Sequence, residues 1–172
     1  MLLKQKLFTL IFSLFLLTSC SSIINKQNVE LPLNQKYAIA SFWNYTETPM
    51  AGLRAATIVE SVLAKHSVSL SSLIAGSDEM LLAKSKKVFL EAKKAEAKAL
   101  GSHYLIMGNV QEWRYKTGID GEPVVSFSIS VIDLQNDTVV FDGVGAKSAW
   151  GHNSIGVVAQ EIAQELLPKF VN

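Results

Sequence analysis

Val124-Val125-Ser126-Phe127-Ser128-Ile129-Ser130-Val131-Ile132-Asp133-Leu134 is the stretch on which the fold turns. Val125, Phe127, Ile129 and Val131 alternate with Ser126, Ser128 and Ser130, and a period of two marks a β-strand with one buried apolar face. The serine face is thinly polar and suits either solvent or a lightly packed contact between subunits. Long alternating segments lie on both sides, residues 103–116 before and 138–149 after, so three strands follow one another. The first two are joined through Thr117-Gly118-Ile119-Asp120-Gly121-Glu122-Pro123, the next two by a tight turn at Asn136-Asp137. Strands of about eleven residues exceed the usual five or six, so the hairpin around Asp120 is expected to project beyond the body.

Toward the N-terminus the pattern becomes helical. Residues 37–43 (Tyr-Ala-Ile-Ala-Ser-Phe-Trp) are β-rich and mostly apolar, as a strand covered on both faces requires. Thr48-Pro49 offers an N-cap followed by proline at the first helical position, and Ala55, Ile58, Val59, Val62 and Leu63 recur at helical spacing to about residue 65. A short strand over residues 68–73 follows, parallel to the first because a helix joins them. Over residues 80–100, Leu81, Ser85, Val88, Ala92, Ala95 and Ala99 form a small-residue stripe expected to face the core. Lys84, Lys87, Glu91, Lys94 and Lys98 then make a solvated face, and Gly101 ends the helix. A last helix starts near Asn153, with Ile155, Val158, Ile162 and Leu166 as its core stripe. The order βαβαβββα predicts an α/β fold, a mixed β-sheet flanked by helices in two or three layers.

The first twenty residues are of another kind. Lys4 and Lys6 precede an apolar run from residue 7 to 17, and Leu17-Thr18-Ser19-Cys20 closes it as a lipobox. The run is too short for a mature transmembrane helix. Residues 1–19 read as a lipoprotein signal peptide, Cys20 as the acylated first residue of the mature chain, residues 20–35 as a lipidated tether, and residues 36–172 as a single α/β domain. Ser21 and Ser22 follow the cysteine, without the aspartate that retains lipoproteins at the inner membrane in enterobacteria. The expected address is the periplasmic face of the outer membrane in a Gram-negative host. Removing the signal takes two lysines from a chain of formal net charge +1 and leaves −1. A near-neutral domain has no electrostatic basis for holding nucleic acid. With its only cysteine lipidated it has no disulfide, so it rests on packing.

Several stretches carry a resemblance. Residues 112–123 (Glu-Trp-Arg-Tyr-Lys-Thr-Gly-Ile-Asp-Gly-Glu-Pro), 131–134 (Val-Ile-Asp-Leu) and 145–151 (Gly-Ala-Lys-Ser-Ala-Trp-Gly) are similar to the PelC family. Residues 44–49 (Asn-Tyr-Thr-Glu-Thr-Pro) and 51–55 (Ala-Gly-Leu-Arg-Ala) also resemble it, and the lipobox agrees. PelC proteins are outer-membrane lipoproteins of the Pel exopolysaccharide export system, which serves biofilm formation. The resemblance implies a CsgG-like periplasmic lipoprotein domain, without the inserted strand pairs from which CsgG builds a membrane barrel. It also implies a homo-oligomeric, dodecameric ring near the export channel PelB, and a cationic polysaccharide, partly deacetylated Pel, as the guided polymer. In that setting Asp120 would face the periplasmic opening as part of an acidic funnel. Glu122 is added because it shares the loop. Turn chemistry alone also explains an Asp-Gly pair. Trp150 matches a tryptophan that touches the outer membrane, where an indole suits the interface; packing under the last helix is the other reading.

Chemistry beyond this is sparse. His66, His103 and His152 are scattered without ligand spacing, so neither metal nor cofactor is expected. Gly151-His152-Asn153-Ser154-Ile155-Gly156 comes near a nucleophile elbow but holds His152 where glycine is required. Asp133 and Asp137 flank a turn and read as solvated. The expected function is therefore non-catalytic guidance of a cationic exopolysaccharide to its outer-membrane channel. The alternative is a lipoprotein module that activates a periplasmic cell-wall or glycan enzyme; that role normally comes with a long disordered tether, which this chain lacks.

Overall fold

Tyr37, Ile39 and Phe42 are fully buried, as are Phe127 and Phe141 far along the chain, and the sheet that joins them organises the protein. The computed structural model describes residues 22–74, 83–118 and 121–172. Its elements are β1 (Ser22–Lys26), β2 (Glu30–Pro32), β3 (Lys36–Ala40), β4 (Trp43–Asn44), α1 (Ala51–Leu63), β5 (Ser69–Leu73), α2 (Lys86–Ala99), β6 (Tyr104–Tyr115), β7 (Pro123–Asp133), β8 (Thr138–Ser148), α3 (Ile155–Leu166) and β9 (Lys169–Val171). Six strands run β1-β8-β7-β6-β3-β5 across one mixed sheet, and the short β4 adds a seventh against β6. β3 is parallel to β5 and to β6, whereas along β6-β7-β8-β1 each strand is antiparallel to the next. The predicted βαβαβββα order is present as β3-α1-β5-α2-β6-β7-β8-α3, a mixed sheet flanked by helices.

α1 and α3 cover one face of the sheet. Val125, Phe127, Ile129 and Val131 of β7 point into that layer, as their alternation predicts, against Val59, Leu63, Val158, Ile162 and Leu166. α2 covers only part of the other face, over β5 and β6. Phe89 and Ala97 of α2 meet Leu105, Met107 and Ile132 there. The remainder of that face, over β7, β8 and β1, has no helix on it among the described residues. Ser126 and Ser128 on that side of β7 are buried all the same, and Ser130 is half-buried.

Where the structure departs from the sequence reading, long-range contacts are the cause. The stretch read as a tether is largely strand: β1 pairs antiparallel with β8, and β2 pairs with the C-terminal β9. Lys26 locks this arrangement, its ammonium donating to the carbonyls of Glu165 and Leu167, the latter at 2.9 Å, at the C-terminal end of α3. A segment this short shows no period of its own, because its partners lie well over a hundred residues away. The fully buried Tyr37 donates its hydroxyl to the Pro32 carbonyl at 2.8 Å, and burial pushes its pKa up.

α1 begins at Ala51 after Met50, which adopts a left-handed φ of 61°, so Thr48-Pro49 is not its cap. The Thr48 hydroxyl is drawn instead to the Trp113 carbonyl of β6. α2 starts at Ser85, whose Oγ accepts from the Val88 amide at 3.3 Å. It buries Phe89, Lys93 and Ala97, leaving the stripe expected to be core, Val88, Ala92, Ala95 and Ala99, exposed. Leu81 and the predicted helix start lie outside the described residues. One phenylalanine with a lysine stem beside it buries more apolar surface than a row of alanines, and Lys93 keeps its charge satisfied through Glu96 at 2.9 Å. Gly101 ends the helix as predicted, at φ 72° with Ser102 donating to the Ala97 carbonyl. α3 is capped by Ser154, one residue beyond the predicted Asn153, through the Val157 amide at 3.2 Å. Asp133 is not solvated: it is buried in the β7–β8 turn, accepting from the amides of Gln135 and Asn136 and from the Asn136 side chain. Asp137 pairs with Lys94 at 2.7 Å, which holds its carboxyl below the usual range.

Candidate functional site

Strand direction decides which functional residues meet. β6 and β8 run toward one end of the sheet, β7 and β1 start from it, and the register lines up Tyr115 with Pro123, Val124 with Ser148, and Lys147 with Ser22. The base of the β6–β7 hairpin, the segment after β8 and the start of β1 therefore share one end. Ala149 closes the corner by donating its amide to the Pro123 carbonyl at 3.1 Å.

The loop of residues 44–49 reaches the same end. The Asn44 carboxamide oxygen accepts from the Thr46 amide and hydroxyl at 2.9 and 2.8 Å, and its nitrogen donates to the Thr48 carbonyl at 2.9 Å. This self-closed turn is stitched to β6 through the Tyr45 amide on the Val110 carbonyl and through the Thr48 hydroxyl. Gly52, in the first turn of α1, follows directly: a Cβ there would lie 1.9 Å from the Phe42 carbonyl oxygen, so only glycine lets the helix start this close to the chain. Of the five stretches that carry the resemblance, four (residues 44–49, 51–55, 112–123 and 145–151) thus converge. Residues 131–134 lie at the opposite end, where Asp133 serves the turn described above.

Of the predicted site residues, Glu122 and Trp150 are among those the structure describes. Cys20 and Asp120 lie outside the described residues. Asp120 belongs in sequence to the hairpin loop, whose base is held by the Lys116 amide on the Glu122 carbonyl at 2.7 Å. Glu122 is partly buried and its carboxylate is 2.7 Å from the Lys116 ammonium, so its charge is matched locally. Arg114 with Glu112 at 3.2 Å and Lys147 with Glu161 at 3.0 Å do the same nearby. Trp150 is 46% exposed, so a little over half of its surface is covered by the rest of the chain. Its carbonyl accepts from the Asn153 amide at 2.9 Å, fixing the turn into α3.

Sequence reasoning singled out Trp150 alone among the exposed apolar residues of the segments at this end. Tyr45, Met50, Tyr115 and Val157 are also exposed, between 45% and 60%, and all belong to segments that reach this end. The Tyr115 hydroxyl accepts from the Ile155 amide at 3.4 Å, linking β6 to the start of α3. Strand parity would place Tyr115 on the buried face of Trp113; the strand simply outruns the core. Among the described residues no group of three His, Cys, Asp or Glu comes together to hold a metal. No described helix is long and apolar enough to cross a membrane.

The mixed sheet flanked by helices is a fold that this chain shares with solved domains of other proteins. The lipoprotein GNA1162 from Neisseria meningitidis shares it with a TM-score of 0.52 at 12% identity, over 76% of this chain and 96% of that one. Within that fold the chain is PelC-like. It matches the PelC dodecamer from Paraburkholderia phytofirmans with a TM-score of 0.71 and 29% identity, covering 85% of this chain and 94% of that one. A variant of that protein in a second crystal form, also a dodecamer, matches with the same score and identity. No family model matches the chain, and no curated protein matches it in sequence.

Proposed function

We infer that this protein is a non-catalytic, lipid-anchored periplasmic component of exopolysaccharide export, assembled as a ring that guides a cationic polymer of the Pel type to an outer-membrane channel. The observation that carries this reading is the convergence, at one end of a PelC-like fold, of four of the stretches that resemble PelC. Ser22 opens β1 at that end, and Cys20 precedes it by two residues, a covalent reach of about 7 Å. An acyl anchor on Cys20 would hold that end against the bilayer. The exposed aromatic and apolar rim of Tyr45, Met50, Tyr115, Trp150 and Val157 suits the interfacial layer there.

The hairpin carrying Asp120 springs from the same end, so the periplasmic opening that the resemblance gives to Asp120 would have to lie close to the membrane and the channel, for which a PelB-type protein is the proposed partner. Glu122 is the weaker contributor, because Lys116 offsets its charge. One carboxylate attracts one ammonium in water by only about 1 kcal/mol at 4 Å. Repetition around a ring turns that small attraction into a focused field, while each contact stays weak enough for the chain to slide past. The reach is short, since screening sets in beyond roughly 8 Å at physiological salt. Asp120→Asn is therefore expected to lower polymer export severalfold in cells while leaving the assembled ring intact, read as secreted cationic polysaccharide against the extracted oligomer. Undiminished export from a folded, assembled Asp120→Asn variant would remove the funnel from the account.

A further inference from the structure

We propose, resting on the ring reading, that copies join head to tail by continuing the sheet: the outer edge of β5 in one copy pairs with the outer edge of β1 in the next. β1 and β5 end the sheet on opposite sides, and among the described residues no segment pairs with the outer edge of either. Both are five residues long. β5 reads Ser-Leu-Ser-Ser-Leu, without charge or proline, and the single lysine of β1 is turned back onto the carbonyls of Glu165 and Leu167. Edges without such guards template further pairing. The two strands also run in opposite directions, as the chain of parallel and antiparallel pairings between them requires. Copies in the same orientation thus bring them together antiparallel. A closed ring needs two different, complementary patches on each subunit, and the PelC-like relative was solved as a dodecamer.

The faces beside the edges agree with this seam. Next to β1 lies the part of the sheet without a helix, where Ile23 is 65% and Val144 40% exposed. Next to β5 lies α2, one flank of which is tied to the β7–β8 turn by Lys94 and Asp137. Its outer surface carries Val88 at 53% exposure. Once β5 meets β1, α2 of one copy lies beside Ile23 and Val144 of the next, and those two exposed apolar side chains gain a cover.

The test uses full-length chains in membranes, with Ser72→Cys on β5 and Asn25→Cys on β1, both exposed positions, placed in separately tagged copies. A flexible bis-maleimide is expected to join the two variants when they are co-expressed and to leave each alone at the background of the parent chain. Cross-linking of either variant with itself would overturn the head-to-tail seam, and so would no cross-link in an extracted assembly of ring mass. A monomeric extract would overturn the ring reading and the seam with it. Val144→Glu is expected to convert the ring to a folded monomer; a retained ring would overturn the covered face.

Discussion

Cys20→Ala is expected to move the protein from the membrane fraction to the soluble periplasm with its fold unchanged. One acyl chain gives an association constant on the order of 10⁴ M⁻¹, and a second or third makes release negligible. Ring formation multiplies this, since the anchors of one assembly engage together. Without acylation only the rim of Trp150, Tyr115 and Tyr45 would remain, a set of interfacial contacts with no buried chain behind it. The fold should be indifferent, because the core draws on no described residue before Ile24. Fractionation, with a melting curve of the soluble form, checks both halves. Retention in the membrane would remove the anchor from the account, and a lowered melting point would give the cysteine a structural role instead.

Gly52→Ala is expected to lower the thermal midpoint by about 10 °C or more, the equivalent of about 3 kcal/mol. Alanine is the better helix former by about 1 kcal/mol, so on propensity alone the substitution would stabilise α1. The tertiary contact decides otherwise. The added Cβ would lie 1.9 Å from the Phe42 carbonyl oxygen and 2.8 Å from its carbon, and Phe42 in turn donates its amide to the Gly52 carbonyl at 3.2 Å. Backbone cannot yield as a flexible side chain does, so α1 would have to lift from β4 and carry the residue 44–49 turn with it. Against a typical domain stability of 5–15 kcal/mol this loss is large. An unchanged or raised midpoint would show that the helix start shifts freely, and the convergence of segments at this end would lose its rigid base.

How far the sequence revealed this arrangement follows from where each signal resides. The three long strands were legible because alternation is local: Val125, Phe127, Ile129 and Val131 announce their face without help from the rest of the chain. The parallel pairing of β3 with β5 followed from the helix between them. β1, β2 and β9 were not legible, since three to five residues hold too little pattern and their partners are distant. α2 was misread for a different reason. Its alanine stripe has the better helical spacing, but Phe89 with the Lys93 stem fills more of the gap over β5 and β6, and the stripe remains outside. At the candidate site the types of residue were legible and their assembly was not. Trp150 and the hairpin are far apart in sequence from Ser22, and only the antiparallel register of β1, β8 and β7 brings them to one end.

The central claim is that a lipid-anchored ring of this chain forms the approach to an export channel. The most direct measurement is the native mass of the full-length protein extracted from membranes in mild detergent. The account predicts a closed assembly of many subunits, dodecameric as in the PelC-like relative, and a monomeric mass across the working concentration range would contradict it.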